Sequence, residues 1–371
     1  RYNDYKLEPI AVIGIVKMDI EAADFKKLRQ LQWKIMENVA ASALIPLMQI
    51  GDELGLFIHL YKTGPASAEE FSKSAGIDGR YGREWLLALS AAGYVTFTSE
   101  DDKFSLSAEQ AAVFVENDGP ALMIGAYNLL AGTIYNTEKI KSVFTSGTGV
   151  DWGRFHPCVF QGTAKFFKPS YAVNLVEKWI PNVHGLNEKL TNGASFADVG
   201  CGHGISTLMI AEAFPASKVV GFDIHQPSIN EAKKLAKKSQ LKNVEFVTAS
   251  AKSYQGEFDV IGFFDCLHDL GDPVGAAKYA NKKLRGGGTI MLIEPSASDN
   301  PEDNFNTIGQ MYYCFSTMAC IPASKSQEIG LALGAQAGPA KLFEILKESG
   351  FAEIKIAHQN ASNMVIEATK P

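Results

Sequence analysis

Ser195-Phe196-Ala197-Asp198-Val199-Gly200-Cys201-Gly202-His203-Gly204 is the stretch on which the reading of this chain turns. Its first half is a short apolar strand, and its second half is a glycine-rich turn. A helix follows at once, beginning Ile205-Ser206-Thr207-Leu208-Met209-Ile210. Glycines at alternate positions leave the turn without Cβ atoms, so that a ligand can lie against the backbone and φ can be positive. A second strand, Lys218-Val219-Val220-Gly221-Phe222, then ends in Asp223. An acid at the end of the second strand is where a βαβ nucleotide site holds a ribose diol.

Two cofactors compete for this layout. A dinucleotide fingerprint is Gly-x-Gly-x-x-Gly with the diphosphate on the helix N-terminus. Here the spacing is Gly200-x-Gly202-x-Gly204, and Ile205 stands where the third glycine belongs. Asp198, just before the first glycine, repels a diphosphate and suits a ligand that carries an ammonium and a sulfonium. S-adenosylmethionine therefore fits better than NAD, and an NAD-dependent oxidoreductase is the weaker reading.

Outward from this point the chain alternates strand and helix, the sign of a parallel sheet with crossovers. Strands are expected near 195–199, 218–222, 244–248, 258–264, 288–294, 354–358 and 364–368, and helices near 205–214, 226–239, 272–284 and 339–348. The fold class is α/β with a Rossmann-like domain. Its ligand crevice lies beyond the carboxyl ends of the strands, where Asp198, Asp223, Ser250, Asp265 and Glu294 fall.

The chain has 371 residues and is 46% hydrophobic, enough for more than one domain and a large core. Its 35 basic and 41 acidic residues give a net charge of −6, which argues against nucleic acid or an anionic membrane as partner. Five cysteines without a Cys-x-x-Cys read as reduced, in the cytoplasm. Residues 1–10 carry scattered charges with no apolar run behind them, so no secretory signal is expected. Two uncharged runs, 119–137 and 304–324, are too polar to span a membrane and read as buried helices.

In front of the sheet, residues 24–55 carry apolar side chains at helical spacing, broken only by Pro46. Residues 56–110 read helix, turn, helix and hairpin, with a capping box from Ser67 to Glu70. That is a winged-helix pattern. Residues 51–110 hold five basic and ten acidic side chains, and the hairpin tip Ser99-Glu100-Asp101-Asp102 is acidic, the wrong sign for phosphate contact. The segment 116–190 links the halves. Its Trp152, Phe155, His156, Phe160, Phe166, Phe167 and Tyr171 suit either interdomain packing or a roof over a pocket.

The motif Asp198-Val199-Gly200-Cys201-Gly202-His203-Gly204 resembles motif I of the class I S-adenosylmethionine-dependent methyltransferases. With it, Gly82-Arg83-Glu84-Trp85-Leu86, Trp152-Gly153-Arg154-Phe155-His156-Pro157, Phe264-Asp265-Cys266-Leu267-His268-Asp269-Leu270-Gly271-Asp272-Pro273 and Ser326-Gln327-Glu328-Ile329-Gly330-Leu331-Ala332-Leu333-Gly334 extend the resemblance over nearly the whole chain. The match is to the winged-helix/Rossmann small-molecule methyltransferases of the type known from mycobacteria, which are related to the plant O-methyltransferases. The resemblance implies a mostly parallel seven-stranded sheet with the last strand antiparallel. It also implies three regions: 1–115 for dimerisation, 116–190 as a helical linker and pocket roof, and 191–371 for S-adenosylmethionine, which leaves as S-adenosylhomocysteine. It implies a homodimer acting on a small molecule and leaves the acceptor open.

Residue by residue, Asp198, Gly200, Cys201, Gly202 and Gly204 should face the methionyl moiety, as should Phe264, Asp265 and Cys266 at the end of the fourth strand. Asp223 and Ile224 should meet the ribose. Ser250 and Ala251 should lie at the adenine, although Ser250 stands where the superfamily often has Asp. His268 matches the histidine that serves the plant enzymes as general base, and its ordinary pKa suits that work. Asp269, Glu294 and Glu328 are candidates to orient it. His156, Phe167, Tyr171, Met311 and Tyr312 are candidates for the acceptor pocket, and no metal is expected. The leading expectation is in-line methyl transfer to a heteroatom, oxygen favoured. The alternatives are an S- or N-methyltransferase acting by proximity and a winged-helix regulator that senses S-adenosylmethionine.

Overall fold

The computed structural model describes residues 24–116 and 119–371. The expectations for residues 1–10 and for the front of the N-terminal region fall on residues 1–23, outside those described. The chain divides into two compact units, 1–44 and 45–371. Helix α1 (Phe25–Glu53) begins in the first and ends in the second, with Pro46 inside it. In the first unit the helix shows exposed Phe25, Leu31, Trp33, Ile35, Met36 and Val39.

The second unit opens on the winged helix: α2 (Leu56–Thr63), α3 (Ala68–Ala75), α4 (Gly79–Ala91), the hairpin of β1 (Thr96–Thr98) and β2 (Lys103–Ser105), and α5 (Ala108–Phe114). The capping box forms: the Glu70 amide donates to Ser67 Oγ at 3.3 Å, and the Ser67 amide donates to Glu70 Oε2 at 2.8 Å. Trp85 is the centre of this core. It stacks on Phe71, meets Phe57 edge-on, and donates its indole N–H to the Leu47 carbonyl at 2.9 Å. The acidic hairpin tip turns on its own helix, where Asp102 accepts from both guanidinium ends of Arg83 at 3.0 and 3.1 Å.

Next come α6 (Ile124–Tyr135), α7 (Thr137–Ser146) and α8 (Pro157–Asn174). α8 starts at Pro157, whose fixed φ suits a first helical position, and His156 caps it by accepting from the Cys158 amide. α6 and α8 cross backbone to backbone. A Cβ at Gly162 would stand 2.4 Å from the Leu129 amide nitrogen and 2.6 Å from its Cα. The short helices α9 (Ile180–Asn182) and α10 (Leu186–Thr191) then lead into the sheet.

The sheet domain runs β3 (Ser195–Val199), α11 (Ile205–Ala213), β4 (Lys218–Asp223), α12 (Gln226–Ser239), β5 (Val244–Thr248), β6 (Phe258–Phe264), α13 (Pro273–Lys283), β7 (Leu284–Pro295), α14 (Thr307–Phe315), α15 (Ile321–Lys325), α16 (Pro339–Glu348), β8 (Ala352–Gln359) and β9 (Asn363–Thr369). In space the order is β5-β4-β3-β6-β7-β9-β8. All pairs are parallel except those of β9, which is antiparallel to β7 and β8. β3 and β6 are neighbours, so the order reverses there and leaves a crevice at their carboxyl ends. Apolar side chains cover both sheet faces: Ile261, Phe263, Ile290 and Leu292 lie in one cluster, and Phe196, Val260, Met291 and Ile293 in the other. Among the described residues, no single helix is long and apolar enough to cross a membrane.

The crossing of α6 and α8 is tested by Gly162→Val. The new side chain meets backbone that cannot step aside, and stability should fall by about 1–3 kcal/mol or more in thermal unfolding. Gly79→Ala, at a position with nothing within 4 Å, is the control. Equal melting of the two variants would refute the crossing.

Candidate functional site

The carboxyl ends of β3, β4 and β6 open into a cleft of about 590 Å³. Its floor is the glycine turn, and each glycine does something different. A Cβ on Gly200 would stand 2.5 Å from Cys266 Sγ. Gly202 has open space where its Cβ would be, so it presents bare backbone to the cleft. Gly204, at φ +76°, starts α11 and packs against Phe246. The amides of the three glycines and of Cys201 are already engaged. Gly200 and Cys201 donate to the Phe222 carbonyl at 2.7 and 3.0 Å, Gly204 donates to Cys201 O at 2.8 Å, and Gly202 donates to Asp223 Oδ2 at 2.8 Å. A diphosphate needs such amides free; a cationic, phosphate-free ligand does not.

Asp223 holds the turn to β4. Its other oxygen accepts from the His225 amide at 2.7 Å. Burial raises its carboxyl, against the pull of those two amides. Each oxygen keeps a lone pair for a diol. Ile224, Ser250 and Ala251 continue the wall toward Lys252, whose Nζ pairs with Asp272 at 2.8 Å and Glu328 at 3.4 Å. Trp152, Phe160, Phe167 and Tyr171 close the opposite side. Phe160 stacks on the His225 ring, with centroids 4.1 Å apart.

Of the residues expected at the cofactor, Gly200, Cys201, Gly202, Asp223, Ile224, Ser250, Ala251, Phe264, Asp265 and Cys266 line this cleft; Asp198 and Gly204 do not. Asp198 is fully buried behind the turn. Its Oδ2 accepts from Ser206 Oγ at 2.7 Å and from Thr207 Oγ1 at 2.6 Å, while Oδ1 has no partner. Burial pushes its carboxyl up to about 6, against those two hydroxyls. Asp265, half-buried at the wall, is pushed up to about 7 by desolvation, against the Tyr171 hydroxyl bond. Of the residues expected around the acceptor, Phe167 and Tyr171 reach the cleft. His156 caps α8, Met311 packs beside Phe315, and Tyr312 donates to the Ser362 carbonyl at 3.1 Å.

His268 follows β6 in a short turn and is buried. Its Nδ1 bonds Glu294 Oε2, and its Nε2 lies 3.4 Å from Asp269 Oδ1. Glu294 Oε1 accepts from the Leu267 amide at 3.0 Å, which fixes the carboxylate. Burial pulls the imidazole down, but Glu294 and Asp269 outweigh it and hold it well above its ordinary value. Asp269 lines the cleft, and His268 stands behind it. Glu328 is engaged with Lys252 and takes no part in this pair. His268, Asp269 and Cys320 each bring a donor atom within 4.8 Å of the others, a spacing a metal ion accepts, although both imidazole nitrogens already face carboxylates.

Asp151, Thr163, His225 and Gln327 also line the cleft and were not read from sequence as site residues. Gln327 lies inside the quoted stretch 326–334. Its Oε1 accepts from the Gly271 amide, and its Nε2 donates to the Asp269 carbonyl, both at 3.0 Å.

Two family models match the chain. One described as "Methyltransferase domain" covers residues 190–349, and one described as "Rv2258c-like winged HTH domain" covers residues 40–115. The chain thus carries a methyltransferase domain behind a winged-HTH domain. Over 108 residues it is 32% identical to the demethylmenaquinone methyltransferase of Lactococcus lactis, a match covering 28% of this chain and 43% of that protein. The chain spans about two-fifths of the length of the curated relatives it matches. Among solved structures, an O-methyltransferase family protein from Burkholderia thailandensis superposes with a TM-score of 0.67 at 14% identity, covering 94% of this chain and 98% of that one. Human N-acetylserotonin methyltransferase in complex with SAM gives 0.67 at 15% identity, over 91% and 97%. These likenesses give this methyltransferase-domain protein its fold.

Burial raises Asp198 and Asp265 from 3.8 to about 6 and about 7. A raised folded value gives stability that is complete below the unfolded value and is lost as pH rises through the folded one. The raised His268 acts in the same sense at higher pH, whereas His203 and His225, lowered by burial, oppose it. The ligand-free protein should therefore gain roughly 1–3 kcal/mol between pH 8 and pH 5.5 in thermal unfolding. Asp198→Asn should flatten the slope. A wild-type profile that is level or falls toward acid contradicts the burial argument.

Proposed function

We propose that the chain is an S-adenosylmethionine-dependent methyltransferase that moves a methyl group to a heteroatom of a small molecule, with oxygen favoured. The single observation that carries this reading is the cleft at the β3/β6 switch point. It has a bare Gly202, an Asp223 with lone pairs to spare, and a glycine turn in which the Gly200, Cys201, Gly202 and Gly204 amides are already engaged. A neighbour of the same fold is solved with SAM, which supports the same cofactor. The cofactor supplies a methyl group on an excellent leaving group, and the remaining work is to align the acceptor and take its proton. Asp223 would hold the ribose, and the Ser250–Lys252 wall would hold the adenine. Trp152, Phe160, Phe167 and Tyr171 would exclude water and support an apolar acceptor.

His268 is the proposed base. Glu294 holds Nδ1, so the proton-accepting nitrogen is Nε2, on the side of Asp269 and the cleft. Glu294 orients the ring, as the acid of a catalytic triad does, and Asp269 would yield its place on Nε2 to the acceptor. The two carboxylates hold the imidazole well above its ordinary value, so the free base, and with it the rate, should increase with pH.

The N-terminal module would join two copies through the apolar side chains exposed on residues 25–44. The hairpin acid that occupies Arg83 speaks against DNA. The five cysteines are unpaired, which supports the cytoplasm.

The test is methyl transfer from labelled cofactor across phenols, hydroxy acids, thiols and amines. On the best acceptor, His268→Ala should lose about 10²–10⁴ in kcat while still binding S-adenosylhomocysteine. Near-normal turnover would leave only alignment. For wild type, kcat/KM should rise with pH along a limb above the ordinary histidine range, and Glu294→Gln should move that limb to lower pH. A limb that stays in place disproves the pairing.

A further inference from the structure

Cys320 is a buried, free cysteine that the transfer chemistry does not use. It ends the π-helical turn Ser316–Cys320 between α14 and α15, a widening of the helix that often marks a functional position. It packs with Tyr312 and Ala335, and its thiol meets the His268 imidazole and the Asp269 carboxylate. A ring nitrogen of His268, the Cys320 sulfur and a carboxylate oxygen of Asp269 all lie within 4.8 Å of one another. Nδ1 is taken by Glu294, so the nitrogen that faces this group is Nε2, 3.4 Å from Asp269 Oδ1. That contact is an ion pair and not a hydrogen bond, because Oδ1 is buried without a hydrogen-bond partner. A buried carboxylate oxygen with no donor is costly until a cation or a proton reaches it.

An imidazole nitrogen, a thiolate and a carboxylate oxygen are ligand types of zinc, and zinc is often held by three protein groups with a fourth position open. At bond lengths of about 2.0–2.3 Å, tetrahedral ligands stand about 3.3–3.7 Å apart, and Nε2 and Oδ1 already have that spacing. The outer support of such a site is also in place. A metal-bound imidazole gives its other N–H to a carboxylate, as Nδ1 does to Glu294, whose second oxygen is fixed by the Leu267 amide at 3.0 Å. A thiolate in the set favours soft or borderline cations over magnesium and calcium. The dication replaces the Nε2 proton and the thiol proton, and both pass to solvent. The net charge of the buried group is unchanged by that exchange.

We infer that His268 Nε2, Asp269 and Cys320 Sγ form a site for a thiophilic divalent cation, zinc by its ligand types. The cation shuts off methyl transfer by occupying the nitrogen that would take the acceptor's proton. The ligand set stands apart from the reading of His268 as base; the effect on turnover rests on that reading. Asp269 lines the cleft, so the cation enters from the acceptor side.

The probe is cobalt(II), added to the full chain after treatment with a chelator. One equivalent should give thiolate-to-cobalt charge transfer in the near ultraviolet with the strong visible bands of a four-coordinate site, and zinc should displace it. Cys320→Ser should abolish the charge transfer and weaken zinc by about tenfold or more, with Cys320→Ala in its place if the serine variant misfolds. Cys314→Ser, at an exposed thiol, should keep the whole spectrum. Glu294→Gln should weaken zinc by about ten- to a hundredfold. In methyl transfer, zinc should inhibit wild type and a chelator should restore it. Cys320→Ser, measured against its own metal-free rate, should need about tenfold or more zinc for the same inhibition. No charge transfer, or charge transfer that survives Cys320→Ser, overturns the site. Zinc bound there with turnover untouched or raised overturns the shut-off, and with it the base reading of His268, while the ligand set stands.

Discussion

One carboxylate ties the glycine turn to the strand beside it. Asp223 accepts from the Gly202 amide after β3 and from the His225 amide before α12. The turn can therefore stay open, with no side chain propping it, and still keep one shape. The cleft follows from that tie. The Gly200, Cys201 and Gly204 amides go to the Phe222 and Cys201 carbonyls, so the floor at the glycines is bare backbone whose donors are taken. Such a floor suits an adenosyl group that carries positive charge and no phosphate.

The roof depends on a different contact. α8 supplies Phe160, Thr163, Phe167 and Tyr171 to the cleft, and Gly162 lets it rest directly on α6. The sheet sets the lower half and a helix crossing sets the upper half. Tyr171 reaches down from one to Asp265 on the other. Aromatic side chains close the side opposite the Ser250–Lys252 wall, and a polar contact shielded from water by them gains strength.

The transfer end concentrates acid. Glu294 and Asp269 flank His268, Asp265 stands beside them, and Asp198 lies behind the turn. Burial alone would neutralise such groups, and burial is the first cause of the rise in Asp198 and Asp265. His268 goes the other way because two acids overcome its burial. The imidazole is thus oriented by the same neighbours that hold its proton.

Much of this was legible in the residues. Strand and helix periods are local, so β3, β4, β5, β6, α11, α12 and α16 fall within a residue of where their apolar patterns put them. The Ser67–Glu70 box is likewise a matter of spacing. The glycine turn and the acid ending β4 are local too, because the turn's chemistry is written in neighbouring residues. What only the tertiary structure decided is which groups of a loop meet the cleft. Asp198 and Asp265 both end strands, and sequence sets them side by side as candidates. One faces the start of α11 and the other the cleft, because their partners differ: Ser206 and Thr207 are close in the chain, whereas Tyr171 and Asn363 lie 94 and 98 residues from Asp265. The same holds for Glu294, which reached His268 where Glu328 did not, and for Met311 and Tyr312, whose helix turned them into the core. Periodicity tells a residue's face on its own element; only packing tells what that face meets.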